Sequence, residues 1–186
     1  MLIFTKMKKE IFKEVEVPEG IEVEVNGTTL KVIGPEGENQ RNFKINNISL
    51  TKKDNLIVVG TKIATKKEKK LINSAAAHIK NMIAGVQKKF EYTLKVCFSH
   101  FPISVDIKGK EVLIKNFLGE KIPRKTLIPD RVEVEIDKDV ITVTSVDKEL
   151  AGQAAADFET ATRIRKRDRR IFQDGIFITS KAGREI

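Results

Sequence analysis

Tryptophan is absent from the 186 residues, and tyrosine and cysteine occur once each. The lone Cys97 excludes an internal disulfide, and a reducing cytoplasm is the expected setting. One cysteine and two histidines, His78 and His100, are too few for the usual Cys/His zinc sites. No metal or cofactor is therefore expected. No apolar run approaches the ~18 residues of a membrane span. The first ten residues hold one short apolar patch ahead of Lys6, Lys8 and Lys9. That is shorter than the ~7–15-residue core of a secretory signal, so none is expected there. Neither G-x-G-x-x-G nor a P-loop occurs. Ser99 and His100 are adjacent, but no strained G-x-S-x-G elbow surrounds them, and no catalytic residue is expected. The ten phenylalanines sit mostly in apolar contexts, as at Phe90, Phe98, Phe101 and Phe158. No aromatic series for stacking bases and no RNP1-like run is visible.

What the chain does have is positive charge. Lys and Arg total 35 against 26 Asp and Glu, a net +9. On a chain this small, that balance points to a polyanion, either nucleic acid or an anionic membrane. The 26 lysines are spread along the chain, but five of the nine arginines fall at Arg163, Arg165, Arg167, Arg169 and Arg170. Lys166 lies among them, and Asp168 is the only acid in that stretch. Arginine grips phosphate with a planar fork, whereas lysine acts as a mobile point charge. Net charge alone favours the first 92 residues, at +6, over the remaining 94, at +3. Arginine placement favours the second half, where residues 160–186 carry eight basic and three acidic groups.

The sequence repeats itself. Residues 21–38, IEVEVNGTTLKVIGPEGE, align with residues 103–120, ISVDIKGKEVLIKNFLGE. Gly27 and Gly37 fall 82 residues before Gly109 and Gly119. NLIVV at 55–59 precedes DVITV at 139–143 by 84 residues, and Ala75-Ala76-Ala77 precedes Ala154-Ala155-Ala156 by 79. Two copies are too few for a solenoid and suit two sibling domains. Their expected spans are 1–90 and 91–186, joined around residues 87–92.

Each copy reads as several strands closed by one helix. Glu22-Val23-Glu24-Val25 and Val132-Glu133-Val134-Glu135-Ile136 alternate as half-buried strands do. Asn26-Gly27 reads as a hairpin turn, with Lys108-Gly109 in the same place. A Thr65-x-x-Glu68 capping box opens a helix whose stripe runs Leu71, Ile72, Ala75, Ala76, Ile79, Met82, Ile83 and Val86. Gly85 is expected to end it. The second helix carries Leu150, Ala151, Ala154, Ala155, Phe158 and Ala161. The alanine triplets imply close packing on a sheet. The expected class is α+β, two tandem duplicated domains, each a mainly antiparallel sheet with one packed helix. If the second helix continues, Arg163, Lys166, Arg167 and Arg170 share one face. Two other readings remain at this point. One is a basic face for anionic lipid with Phe172 and Phe177 inserting. The other is an RNA-modifying enzyme using His100.

The stretch Arg165-Lys166-Arg167-Asp168-Arg169-Arg170-Ile171-Phe172-Gln173-Asp174-Gly175-Ile176-Phe177 resembles the signature of the large-subunit ribosomal protein family L-six. HIKNMI at 78–83, HFPI at 100–103, KNFLGEK at 115–121 and AGQAA at 151–155 also fit. Phe172-Gln173-Asp174-Gly175 is similar to the archaeal and eukaryotic branch. The resemblance implies two duplicated α+β domains and no enzymatic activity. It implies a cytoplasmic protein in the large ribosomal subunit that binds ribosomal RNA chiefly through its second domain. It implies a place near the stalk base, beside neighbouring ribosomal proteins and docking translational GTPases, and no membrane partner. Carried onto this chain, the RNA-binding candidates are Arg163, Arg165, Lys166, Arg167, Arg169 and Arg170. Lys181 and Arg184 follow in the tail, and Lys121, Arg124 and Lys125 after Asn116-Phe117-Leu118-Gly119.

Overall fold

Alternating apolar residues and turn signals give the chain fourteen short strands and two capped helices among the described residues. The computed structural model describes residues 9–43 and 48–186. The stretch 1–8, holding most of the patch screened for a signal, lies outside them. The chain divides into two compact units, residues 1–88 and 89–186.

In the first unit, β1 (Lys9–Glu16), β6 (Leu56–Ala64) and β5 (Ser49–Lys53) form one antiparallel sheet in the order β1-β6-β5. A second sheet is the meander β2 (Glu22–Asn26), β3 (Thr29–Gly34) and β4 (Gly37–Asn42). Each unit thus has two antiparallel sheets where the sequence reading has one. The hairpin turns on Gly27 and Thr28, between paired Asn26 and Thr29, one residue later than expected. Gly27 takes the positive φ of 62° that the turn demands.

Helix α1 (Lys66–Gln87) opens on the expected capping box. The Thr65 hydroxyl accepts the Lys67 N–H, and the Glu68 carboxylate accepts the Thr65 N–H at 3.0 Å. Thr65→Ala removes an N-cap and should cost about 1 kcal/mol, read by urea unfolding of the first unit. Ile72, Ala75, Ala76, Ile79, Met82, Ile83 and Val86 are buried, while Leu71 falls at the exposed edge of the stripe. Gly85 does not end the helix. It is buried inside it, and the helix runs on to Gln87. The helix end approaches the β3–β4 turn so closely that a Cβ on Gly34 would lie 2.9 Å from Val86. The Glu36 N–H donates to the Val86 carbonyl at 3.0 Å across this contact.

The second unit repeats the plan. Strands β7 (Phe90–Cys97), β12 (Val140–Ser145) and β11 (Glu133–Asp137) pair as β1, β6 and β5 do. The meander is β8 (Ser104–Lys108), β9 (Glu111–Lys115) and β10 (Arg124–Leu127). Helix α2 (Lys148–Ala161) starts on Asp147, whose carboxylate accepts the Glu149 N–H at 2.9 Å. Ala151, Ala154, Ala155 and Phe158 are buried against the sheet, as the alanine triplet implies. Close approach is aided by Gly152, where a Cβ would sit 3.3 Å from the Tyr92 hydroxyl.

Two strands have no counterpart among the described residues of the first unit. Strand β13 (Gly175–Lys181) pairs with the other edge of β7, and β14 (Arg184–Glu185) pairs with β13. The larger sheet therefore runs β11-β12-β7-β13-β14. This addition returns the chain to the core after α2. The twelve residues 163–174 are left as a connection anchored at both ends.

Candidate nucleic-acid interface

The basic run does not continue the helix. Helix α2 stops at Ala161, so Arg163, Lys166, Arg167 and Arg170 share no helical face. Two side chains stop it. Buried Thr162 donates its hydroxyl to the Phe158 carbonyl at 3.3 Å and accepts the Ile176 N–H at 2.9 Å. This joins the helix end to the start of β13. Arg124, on β10, directs Nη1 to the carbonyls of Ala161 at 2.9 Å and Arg163 at 3.2 Å. Those are the carbonyls a helix end leaves unpaired.

Arg124 is itself held from two sides. Its guanidinium lies 4.3 Å from the centre of the buried Phe117 ring. It also donates twice to Glu120, at 2.8 and 2.6 Å. Phe117 reaches the core from a short 3-10 turn (Phe117–Gly119) entered by left-handed Asn116, whose amide donates to the Pro102 carbonyl at 3.1 Å. The Arg124 fork holds the Glu120 carboxyl below the usual carboxylate range, and the Arg167 charge contributes. A depressed carboxyl stabilises the fold above its unfolded value of about 4.3, and that contribution disappears as pH falls through the folded value. Glu120→Gln should therefore flatten the acid limb of the second unit's stability below about pH 4.3. Equal acid sensitivity in both proteins would contradict this.

Between these anchors the loop folds on its exposed acid, Asp168. Asp168 accepts the Arg170 N–H at 2.9 Å and the Arg170 guanidinium at 2.7 Å. The Asp168 carbonyl accepts the N–H groups of Ile171 and Phe172. An Asx turn of this kind organises the backbone locally. The Arg170 guanidinium, then its backbone N–H, hold the Asp168 carboxyl below its ordinary value. Lys166 adopts a left-handed φ of 57°. The Arg167 guanidinium lies over Phe172, 4.8 Å from the ring centre. Ile164 packs against the core.

The candidates thus separate by what they already hold. Arg163, Arg165, Lys166 and Arg169 are exposed and have no acidic partner among the described residues. Arg167 and Arg170 are exposed and braced from within the loop. Lys121 is exposed just before Arg124, and Lys125 makes a loose 3.6 Å pair with Glu111. Arg124 is committed to holding the loop. Lys181 and Arg184 face each other across the β13–β14 hairpin. They lie about 20 Å from Gly175 along an extended strand, so the structure does not bring them into the loop.

The unused chemistry of the sequence stays apart. His78 is half-buried on α1. His100 is exposed, with its ring 4.9 Å from that of Phe101. No His/Cys/Asp/Glu cluster suited to a metal exists among the described residues. No described helix is long and apolar enough to cross a membrane. Cys97 is half-buried. Two sequence readings change. Phe98 and Phe101 are exposed rather than part of an apolar core. Both phenylalanines lie just past the end of β7, where the strand has left the sheet. Thr162 and Phe117 were not singled out as functional. Their importance comes from contacts with residues distant in sequence, which no local spacing signals.

The chain is a duplicated α+β protein whose second unit carries an arginine-rich loop braced by its own contacts. The family model described as ribosomal protein L6 matches the chain twice, over residues 17–89 and 101–175, one match in each unit. The chain is 43 % identical to large ribosomal subunit protein uL6 of Methanobrevibacter smithii, over 92 % of this chain and 96 % of that protein. Against the protein of the same name from Archaeoglobus fulgidus it is 44 % identical, covering 92 % and 91 %. For the one from Nanoarchaeum equitans the figures are 45 %, 93 % and 94 %. The chain belongs to the ribosomal protein L6 family. It is a structural ribosomal component and not an enzyme, and its place is the cytoplasmic ribosome.

Proposed function

We propose that the chain is a constituent of the large ribosomal subunit whose second unit, residues 89–186, grips ribosomal RNA. The observation that carries this reading is the loop of residues 163–174, pinned by Thr162 at both ends and braced by Arg124. A pinned loop loses little entropy when it binds. Arg163, Arg165, Lys166 and Arg169 take phosphates directly, and Arg167 and Arg170 join them with their planes already oriented. Lys121 and Lys125 extend the surface beside Arg124. Lys181 and Arg184 contact a more distant part of the RNA. The resemblance to the L-six family supports a place near the stalk base, among neighbouring ribosomal proteins and close to docking translational GTPases. The first unit carries dispersed lysines and no arginine cluster.

Ultraviolet crosslinking of the full chain to an archaeal large-subunit rRNA transcript tests the reading. Crosslinked peptides should concentrate in residues 163–174. A majority from the first unit would overturn the assignment of the surface.

A further inference from the structure

Behind the basic loop lies a cleft of about 970 Å³. Its walls come from three separate stretches: the end of β7, the end of α2, and the loop with the start of β13. Phe98, Phe172 and Phe177 line it, with Arg163, Arg169 and Arg170 among the residues around them and the acids Glu159 and Asp174 also in its walls. Phe98 is 40 % exposed and Phe177 is 36 % exposed, so both rings offer surface and neither is a core residue. Phe172 already has Arg167 over its ring. The Phe177 ring lies back over Gly175, where a Cβ would sit 3.1 Å from it. These phenylalanines are scattered in sequence and form no stacking motif there. The fold gathers them beside arginines.

We infer that this cleft receives one unstacked nucleotide of the bound RNA, its base against Phe98 and Phe177 and its phosphate on Arg163 and Arg169. The inference rests on the second unit being the RNA-binding one. Every base presents a π-face to an aromatic ring, and stacking is favourable whatever the sequence. A nucleotide supplies that face and an anion a short distance apart, matching rings and arginines in one cleft. An acidic peptide would match only the arginines. A lipid surface needs rings that protrude together, whereas these line a recess. Structured RNA offers such nucleotides at bulges and loops, where a base can be splayed out.

The test measures affinity of the full chain for an archaeal large-subunit rRNA transcript across a salt series. Phe98→Ala and Phe177→Ala should each weaken binding about tenfold with the salt slope unchanged, because stacking releases no counterions. Phe98→Leu and Phe177→Leu keep apolar bulk but lack the ring face, so they should not restore affinity. Thermal unfolding of each variant should match the parent. Full affinity in the leucine variants would overturn the stacking role. Parental affinity in the alanine variants, with loss on removing Arg163, Arg165 and Arg169, would overturn the cleft and leave the loop reading standing. Parental affinity in all variants would overturn both. Loss of a protein neighbour without loss of RNA would also overturn the inference and make the cleft a protein contact.

Discussion

Replacing Arg163, Arg165 and Arg169 together by alanine is expected to weaken binding to large-subunit rRNA by about 100-fold near 0.1 M salt. Each side chain is exposed and has no acidic partner among the described residues, so none is diverted by an internal ion pair. Each phosphate neutralised contributes to the salt slope, which should fall by about 2 to 3 in the triple variant. The fold should be indifferent, since exposed substitutions away from special features usually shift stability by less than about 0.5 kcal/mol. A parental salt slope would show that other cations hold the phosphates. Arg170→Ala should behave differently from these three. It removes the guanidinium that braces the Asp168 carboxylate as well as a charge, while the backbone N–H of residue 170 still closes the turn, so amide exchange in residues 168–172 should quicken modestly.

Phe117→Ala is expected to destabilise the second unit by about 3 to 5 kcal/mol, the cost of emptying a fully buried aromatic site. The consequence reaches the loop, because Phe117 supports the guanidinium that holds the end of α2. Amide protection at the last turn of α2 and in residues 163–174 should therefore fall further than protection in β11 and β12. The two units are separate compact bodies, so urea unfolding should show the loss in one transition only. RNA affinity at temperatures where the variant remains folded should fall as well. A shift shared equally by both units would mean that their stabilities are coupled.

The sequence carried much of the architecture in plain form. The capping box at Thr65 and Glu68, the helical stripe from Ile72 to Val86 and the alternation of β2 needed only local rules. Local rules suffice there because caps, periodicity and turn residues act within a few positions. They fell short at Gly85, which the sequence reading took as a stop. A glycine inside a helix is tolerated when packing compensates, and here it is buried. They also missed the second sheet in each unit, because strand alternation carries no record of which strands pair.

Helix α2 is the sharper case. The spacing of Arg163, Lys166, Arg167 and Arg170 is compatible with a helix, and nothing within reach along the chain forbids one. What ends the helix is Thr162 meeting the Ile176 N–H fourteen residues on, and Arg124 arriving from β10. The cleft has the same character, since Phe98 and Phe177 stand 79 positions apart and meet only because β13 pairs with β7.

By itself, then, the sequence determined the duplication, the α+β class, the family and the stretch that holds the arginines. Repeats, periodicity and clustered charge are properties of neighbouring positions. The tertiary structure alone decided that the arginine stretch is a braced loop, that Arg124 holds it, and that scattered phenylalanines line a recess behind it. Each of those depends on contacts between residues dozens of positions apart, and such contacts exist only once the sheets have closed around the core.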